Sequence, residues 1–172
     1  MTGPGTSTAD DPRADLVERA KAIRDRWQRL VADVGEERME LPGPMGEWSF
    51  KDLASHLSAW RRRTIGRVEA AGRGVPPPPN PWPPELGEDE DDAINAWIHE
   101  QTRDLPPGDV LAESEATWEA LIAGIEALPM IEAARQRTAW LEAAAEDGHP
   151  WGHLGEHEPS VRAWLATDPR GM

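Results

Sequence analysis

The strongest constraint on the fold is a repeated spacing of apolar residues at every third or fourth position. In the first such segment the apolar side chains are Leu16, Ala20, Ile23, Trp27, Leu30, Val31 and Val34. This spacing is typical of a helix that buries one stripe of side chains and exposes its other face to water. No segment alternates apolar and polar residues over five or more positions, so the sequence predicts no β-strands.

Further segments with the same periodicity predict an all-α fold, a bundle of four main helices with one or two extra short helices. The second helix begins after Ser49, which can cap it together with Asp52, and it ends near Gly74. A proline-rich crossover over residues 75–84 follows and is predicted to be extended. The final helix is predicted to start near Pro150.

The length of 172 residues fits one domain with a single core. Residues 1–11 are small, polar and rich in proline and glycine, and they are predicted to form a disordered lead-in. Residues 12–167 carry the helical periodicity and form the bundle domain, and residues 168–172 form a flexible tail.

The charge balance limits the classes of partner. The formal net charge is −14, from 32 acidic and 18 basic residues, which argues against binding to nucleic acid. No apolar run approaches the ~18–20 residues needed to cross a bilayer, and the N-terminal residues do not resemble a secretory signal. We therefore expect a cytoplasmic monomer or homodimer with neither a nucleic-acid nor a membrane partner. The absence of cysteine excludes a thiolate nucleophile and a sulfur ligand in the chain.

Three histidines form the main candidate site. His153 and His157 are four residues apart, which on a helix places them on one face, and His56 lies on the apolar stripe of the second helix. If these helices are neighbours, three imidazoles could bind a divalent ion such as zinc or nickel and activate water. The structural alternative is that His56 is a core histidine and the other two lie at the solvent boundary. His99 is predicted to be solvated.

A metal-free site is chemically available as well. Glu156 or Glu47 could orient an imidazole that acts as a general base, or both could be surface charges. The nine tryptophans, with no tyrosine and one phenylalanine, either fill the core or line a pocket for an apolar ligand. The only dense basic cluster, residues 61–63, is predicted to be solvated.

Three motifs carry a resemblance to a known superfamily. Residues 46–60 resemble the W-S-x-K-D-x-x-x-H-L-x-x-W signature of the DinB-like four-helix bundles. Trp82 and Asn95 match residues in and after the crossover of the ClbS/DfsB branch, and residues 152–165 resemble its last helix, G-H-Y-x-E-H-x-x-x-I-R-x-W-L. The resemblance extends from about residue 12 to residue 166. The chain departs from it at Leu154, where the motif has an aromatic residue, and in the acidic insertion 85–92.

The resemblance implies a histidine triad that often binds a divalent metal. The leading hypothesis is a self-resistance and detoxification hydrolase of the ClbS/DfsB type, which opens an electrophilic cyclopropane of a genotoxic small molecule by adding water. It requires no cofactor, although zinc or nickel could bind at the histidines. The expected catalytic residues are His56, His153, His157, Glu156 and Glu47. The residues expected to contact the hydrophobic ligand are Trp48, Trp60, Trp82, Trp97, Trp151 and Asn95.

Two alternatives remain at the level of sequence. The first is a divalent-metal-dependent transferase or isomerase that uses mycothiol or bacillithiol, as in other DinB-like proteins. The second is a non-catalytic protein that sequesters a drug.

Overall fold

The computed structural model describes residues 11–87, 91–145 and 153–167, and for residues 141–145 it describes the backbone alone. The described helices are α1 (Pro12–Val34), α2 (Phe50–Arg73), α3 (Asp91–Thr102), α4 (Pro107–Glu126), α5 (Met130–Ala145) and α6 (Leu154–Thr167). This confirms the prediction of an all-α bundle with extra short helices. None of these helices carries an apolar stretch of bilayer-spanning length. The predicted lead-in, except for Asp11, and the predicted tail lie outside the described residues.

The prediction that the chain has no strands was wrong at one place. A short antiparallel hairpin pairs β1 (Pro42–Gly43) with β2 (Gly46–Ser49) between α1 and α2. These strands are too short to show an alternating pattern in the sequence. A Cβ on Gly43, which has φ +131°, would lie 2.6 Å from Nε1 of Trp164. The hairpin therefore packs closely against α6, and only glycine fits at this contact.

The start of α2 is fixed by a reciprocal capping box, as the sequence predicted. Ser49 Oγ accepts a hydrogen bond from the Asp52 backbone N–H at 3.2 Å. In return, Asp52 Oδ2 accepts from the Ser49 N–H at 2.9 Å and from Ser49 Oγ at 2.7 Å. These bonds satisfy backbone donors that the helix itself leaves unpaired. They also fix the first turn of the helix that carries His56.

Replacement of Ser49 by alanine is expected to lower the free energy of unfolding by about 1 kcal/mol, because it removes the side-chain acceptor of the capping box. Urea denaturation measures this change. The control is Thr138→Ala on α5, an exposed residue whose hydroxyl donates to the Ala134 carbonyl one turn earlier in the same helix, with an expected loss within about 0.5 kcal/mol. Equal losses in the two variants would show that the cap does not stabilise α2.

The core lies between α1, α2 and α4, where the apolar stripes of the three helices meet. Trp27 of α1 stacks on Phe50 of α2 with ring centroids 5.0 Å apart and an interplanar angle of 12°. Helix α5 packs on α1, α3 packs on α2, and α6 packs on α1. A smaller cluster, formed by Trp82, Ile94 and Ile98, joins the crossover to α3. Burial of this apolar surface drives the helices together.

The prediction that residues 61–63 are all solvated was wrong for Arg61, which is 1% exposed. Its Nη1 donates to Thr117 Oγ1 at 2.7 Å and to the Ser114 carbonyl at 3.3 Å. Its Cζ lies 3.8 Å from the ring centroid of Trp118. Burial lowers the pKa of Arg61 to about 9. The residue faces α4, and its long apolar stem lets a charged side chain enter a tightly packed helix interface.

Candidate metal centre

The structure brings three imidazoles together between α2 and the start of α6. The Nε2 atoms of His56 and His153 are 2.8 Å apart. The ring centroid of His157 lies 5.3 Å from that of His56 and 5.0 Å from that of His153. One ring nitrogen from each residue lies within 4.8 Å of the other two. A single ion could therefore contact all three rings with little movement of the side chains.

The two histidines of the last segment reach the cluster in different ways. His157 lies in the first turn of α6, but His153 precedes the helix and has φ +23°, a left-handed value that is unfavourable for residues other than glycine. The prediction of two histidines on one face of a helix starting near Pro150 was therefore wrong, because α6 begins at Leu154. The turn at His153, whose carbonyl accepts from the Glu156 N–H at 3.0 Å, directs its ring to His56.

Burial keeps the three imidazoles neutral. His56 is 4% exposed, and this burial, with smaller contributions from His153 and His157, lowers its pKa to about 3, while the Asn95 side chain opposes the shift. Burial also lowers the pKa of His153, against the charge of Asp91, and that of His157. Neutral imidazoles have the free lone pairs that metal binding requires.

The donor set fits a divalent ion. Among the described residues, His157 Nε2 is buried without a hydrogen-bond partner, which normally carries a free-energy cost. The close nitrogen–nitrogen contact of His56 and His153 brings two lone-pair positions toward one point. Three imidazoles suit zinc or nickel and leave coordination positions for another ligand. In the described part of the chain, this is the one group of three or more candidate ligands that could hold an ion.

Two of the predicted ligand-contacting tryptophans border the histidines directly. The ring of Trp48 lies 6.0 Å from that of His56, and the ring of Trp60 lies 6.4 Å from that of His56 and 6.2 Å from that of His153. Nε1 of Trp60 donates to Asn95 Oδ1 at 3.0 Å, which joins α2 to α3. The ring of Trp82 packs against that of Trp60, with their centroids 4.8 Å apart.

The remaining predicted site residues lie away from the three rings or outside the described residues. Trp97 packs with the smaller apolar cluster under the crossover, and Trp151 lies outside the described residues. Glu156 is exposed, and its charge acts on His157 by raising the pKa of that residue. Glu47 is exposed and borders a surface pocket of about 300 Å³ that also contains His99.

Sequence reasoning missed a group of residues that supports Trp48. His99 was predicted to be solvated, but it is half-buried and stacks on Trp48 at 5.1 Å and 8°, with its Nε2 3.6 Å from Asp52 Oδ1. Lys51 is buried, and its Nζ donates to carbonyls at the end of α3, those of Arg103 and, at 3.2 Å, Leu105. The adjacent lysine and aspartate of the W-S-x-K-D signature could have indicated that polar residues near Trp48 make contacts with another helix.

The fold and the site together define a class, a DinB-like helical bundle with three histidines clustered between two of its helices. The family model described as the mycothiol maleylpyruvate isomerase N-terminal domain matches residues 20–164, and the chain belongs to this family. No curated protein and no solved structure matches the chain. This result confirms the resemblance to the DinB-like superfamily, whereas nothing in it supports the narrower resemblance to the ClbS/DfsB branch.

Proposed function

We propose that the protein is a divalent-metal-dependent enzyme that uses a mycothiol-type thiol in a transfer or isomerisation reaction. The observation that carries this proposal is the neutral trihistidine cluster of a chain that belongs to the mycothiol maleylpyruvate isomerase N-terminal family. The chain has no cysteine, so any nucleophilic sulfur must come from a small-molecule thiol.

In this proposal, the histidines and the tryptophans of the site have different roles. His56, His153 and His157 would hold the ion, and their neutral state would make binding available at pH 7. When bound, the divalent ion supplies a positive charge that favours the thiolate form of the cosubstrate. Trp48 and Trp60 cover the sides of the cluster and limit the access of water, which would compete with the thiol.

The family match favours this function over the hydrolysis of a cyclopropane, which was the leading hypothesis from the sequence. Among the described residues, no contact specifically favours addition of water to a strained ring. Non-catalytic sequestration instead predicts that the ligand is recovered unaltered. One assay can therefore distinguish thiol transfer or isomerisation, hydrolysis and sequestration.

The test supplies the purified protein with zinc or nickel, mycothiol and maleylpyruvate or another electrophilic substrate, and follows the products by mass spectrometry. We expect turnover that requires both the metal and the thiol. His157→Ala should reduce it by more than the roughly 10–100-fold that loss of a hydrogen-bond partner of a metal ligand costs.

The matched control is His99→Ala, which removes a histidine outside the cluster. It should retain the metal, and its turnover should still require that metal, although loss of the stack on Trp48 can lower the rate. Turnover by water without thiol would instead establish the hydrolase. Binding of the electrophile with its recovery unchanged would establish sequestration and overturn the proposed function.

A further inference from the structure

Helix α6 carries His157 and follows His153, and a charged residue lies among the apolar contacts that it makes with the rest of the fold. Its buried stripe consists of Leu154, Glu158 and Val161, so a carboxylate occupies the centre of a face that is otherwise apolar. Trp164 and Leu165 also pack against the core, but apolar contacts are not directional. Burial of a charge costs free energy unless the charge is paired. The partners of Glu158 therefore indicate which contacts seat α6 on the rest of the fold.

Glu158 is paired twice. Its side chain is 10% exposed, and its Oε2 accepts from Nε of Arg26 on α1. Its Oε1 accepts from Nε of Arg162, one turn further along α6, at 3.2 Å. Arg162 then donates through Nη1 to Asp33 of α1. The four side chains thus form an alternating chain of charges that crosses between α1 and α6 at two points.

The two crossing points define the position of α6. Arg26 and Asp33 are seven residues apart, about two turns or ~10 Å along α1. Two directional attachments at this separation fix both the rotation of α6 and its height on α1. Arg26, Arg162 and Asp33 are exposed, so these pairs contribute little net stability. The Glu158 carboxylate is 10% exposed, however, and it needs these partners wherever α6 docks, which favours one register.

We propose that Glu158 is a positioning residue, which through Arg26 and Arg162 fixes α6 on α1 in the one register that sets His153 and His157 against His56. This inference rests on the proposed function, because the register matters for activity only if the three histidines hold an ion. The register itself does not require the ion. Glu158 does not touch the reacting atoms. Glu158 affects only the positions of the His153 and His157 rings.

The first experiment titrates the full chain with Co²⁺ alone and follows the visible absorption bands, which report the geometry of coordination. Glu158→Met and Arg26→Met are expected to weaken Co²⁺ binding about 10-fold or more and to alter the bands. The double variant should lose no more than Glu158→Met alone, because Glu158→Met already removes the pair with Arg26. The thermal midpoint of apo Glu158→Met should change little, since methionine suits the apolar stripe. Arg26→Met should lower it, because the buried Glu158 carboxylate loses one of its partners.

The control is Glu113→Met, which removes an arginine–carboxylate pair of similar length, Arg62 Nε to Glu113 Oε1 at 2.7 Å, between α2 and α4. It should leave the Co²⁺ affinity and bands unchanged. Unaltered affinity and bands in both Glu158→Met and Arg26→Met would overturn the proposal. The same conclusion would follow if the loss of affinity in Glu158→Met were matched by a fall in its thermal midpoint.

A second measurement separates this inference from the proposed function. Nuclear Overhauser contacts between the ring protons of His56 and His157 in the apo-protein report the register without any metal. They should weaken in Glu158→Met and persist in Glu113→Met. If the unmodified chain binds no Co²⁺, the proposed function fails, while these contacts still decide whether Glu158 positions α6.

Discussion

Replacement of His56 by alanine is expected to abolish stoichiometric binding of zinc or nickel and to weaken affinity by at least about 100-fold, or ~2.7 kcal/mol. His56 would be the ligand supplied by α2, and its Nε2 lies 2.8 Å from that of His153. Without it, two imidazoles from the last segment remain, which is fewer protein ligands than zinc sites normally have. Metal analysis after purification without chelator, together with competition titration, measures the effect.

The control for this prediction is His99→Ala. His99 is also a half-buried histidine near Trp48, but it is not part of the cluster. It should retain one ion per chain. Equal metal content in His56→Ala and the unmodified protein would place the ion elsewhere and would remove the basis of the proposed function.

The apo-protein is expected to lose stability steeply as the pH falls below about 6.5. The folded state lowers the pKa of His56 from 6.5 to about 3 by burial, so the unfolded chain binds a proton over this window and the folded chain does not. Stability therefore rises with pH between these values and falls as acid is added. At about 1.4 kcal/mol per pH unit, His56 alone costs roughly 2 kcal/mol between pH 6.5 and pH 5. His153 and His157 shift in the same direction.

Urea denaturation of the metal-free protein at several pH values measures this dependence. His56→Gln keeps a polar side chain at the same place but removes the titrating group, so its free energy of unfolding should fall less steeply over the same window. Parallel curves for His56→Gln and the unmodified protein would show that another group is responsible for the acid sensitivity.

The helices and the identity of the clustered histidines could be predicted from the sequence, because both depend on patterns within single segments of the chain. Apolar spacing located α1, and the Ser49–Asp52 capping box located the start of α2. The same spacing placed His56 on the inward face of α2. Its proximity to His153 and His157 then required only that two helices be neighbours, which the resemblance to DinB-like bundles also implied.

Other features depended on contacts between distant parts of the chain. Sequence reasoning chose Glu156 for the site and passed over Glu158, but Glu156 is exposed and Glu158 lies buried against α1. The residues are two apart, and only the docking of α6 decides which of them faces Arg26. The burial of Arg61 has the same origin, since α4 supplies both its acceptors and the face of Trp118.

The sequence by itself therefore determined where the chain is helical, which of its residues can bind a metal, and that no thiol of its own can take part. Those properties follow from side-chain chemistry and from periodicity along one segment. The tertiary structure alone decided that His153 lies outside α6 with a left-handed backbone, and that a buried carboxylate holds this helix to α1. The orientation of a helix about its own axis depends on the surface it meets, and that surface is formed by residues more than a hundred positions away.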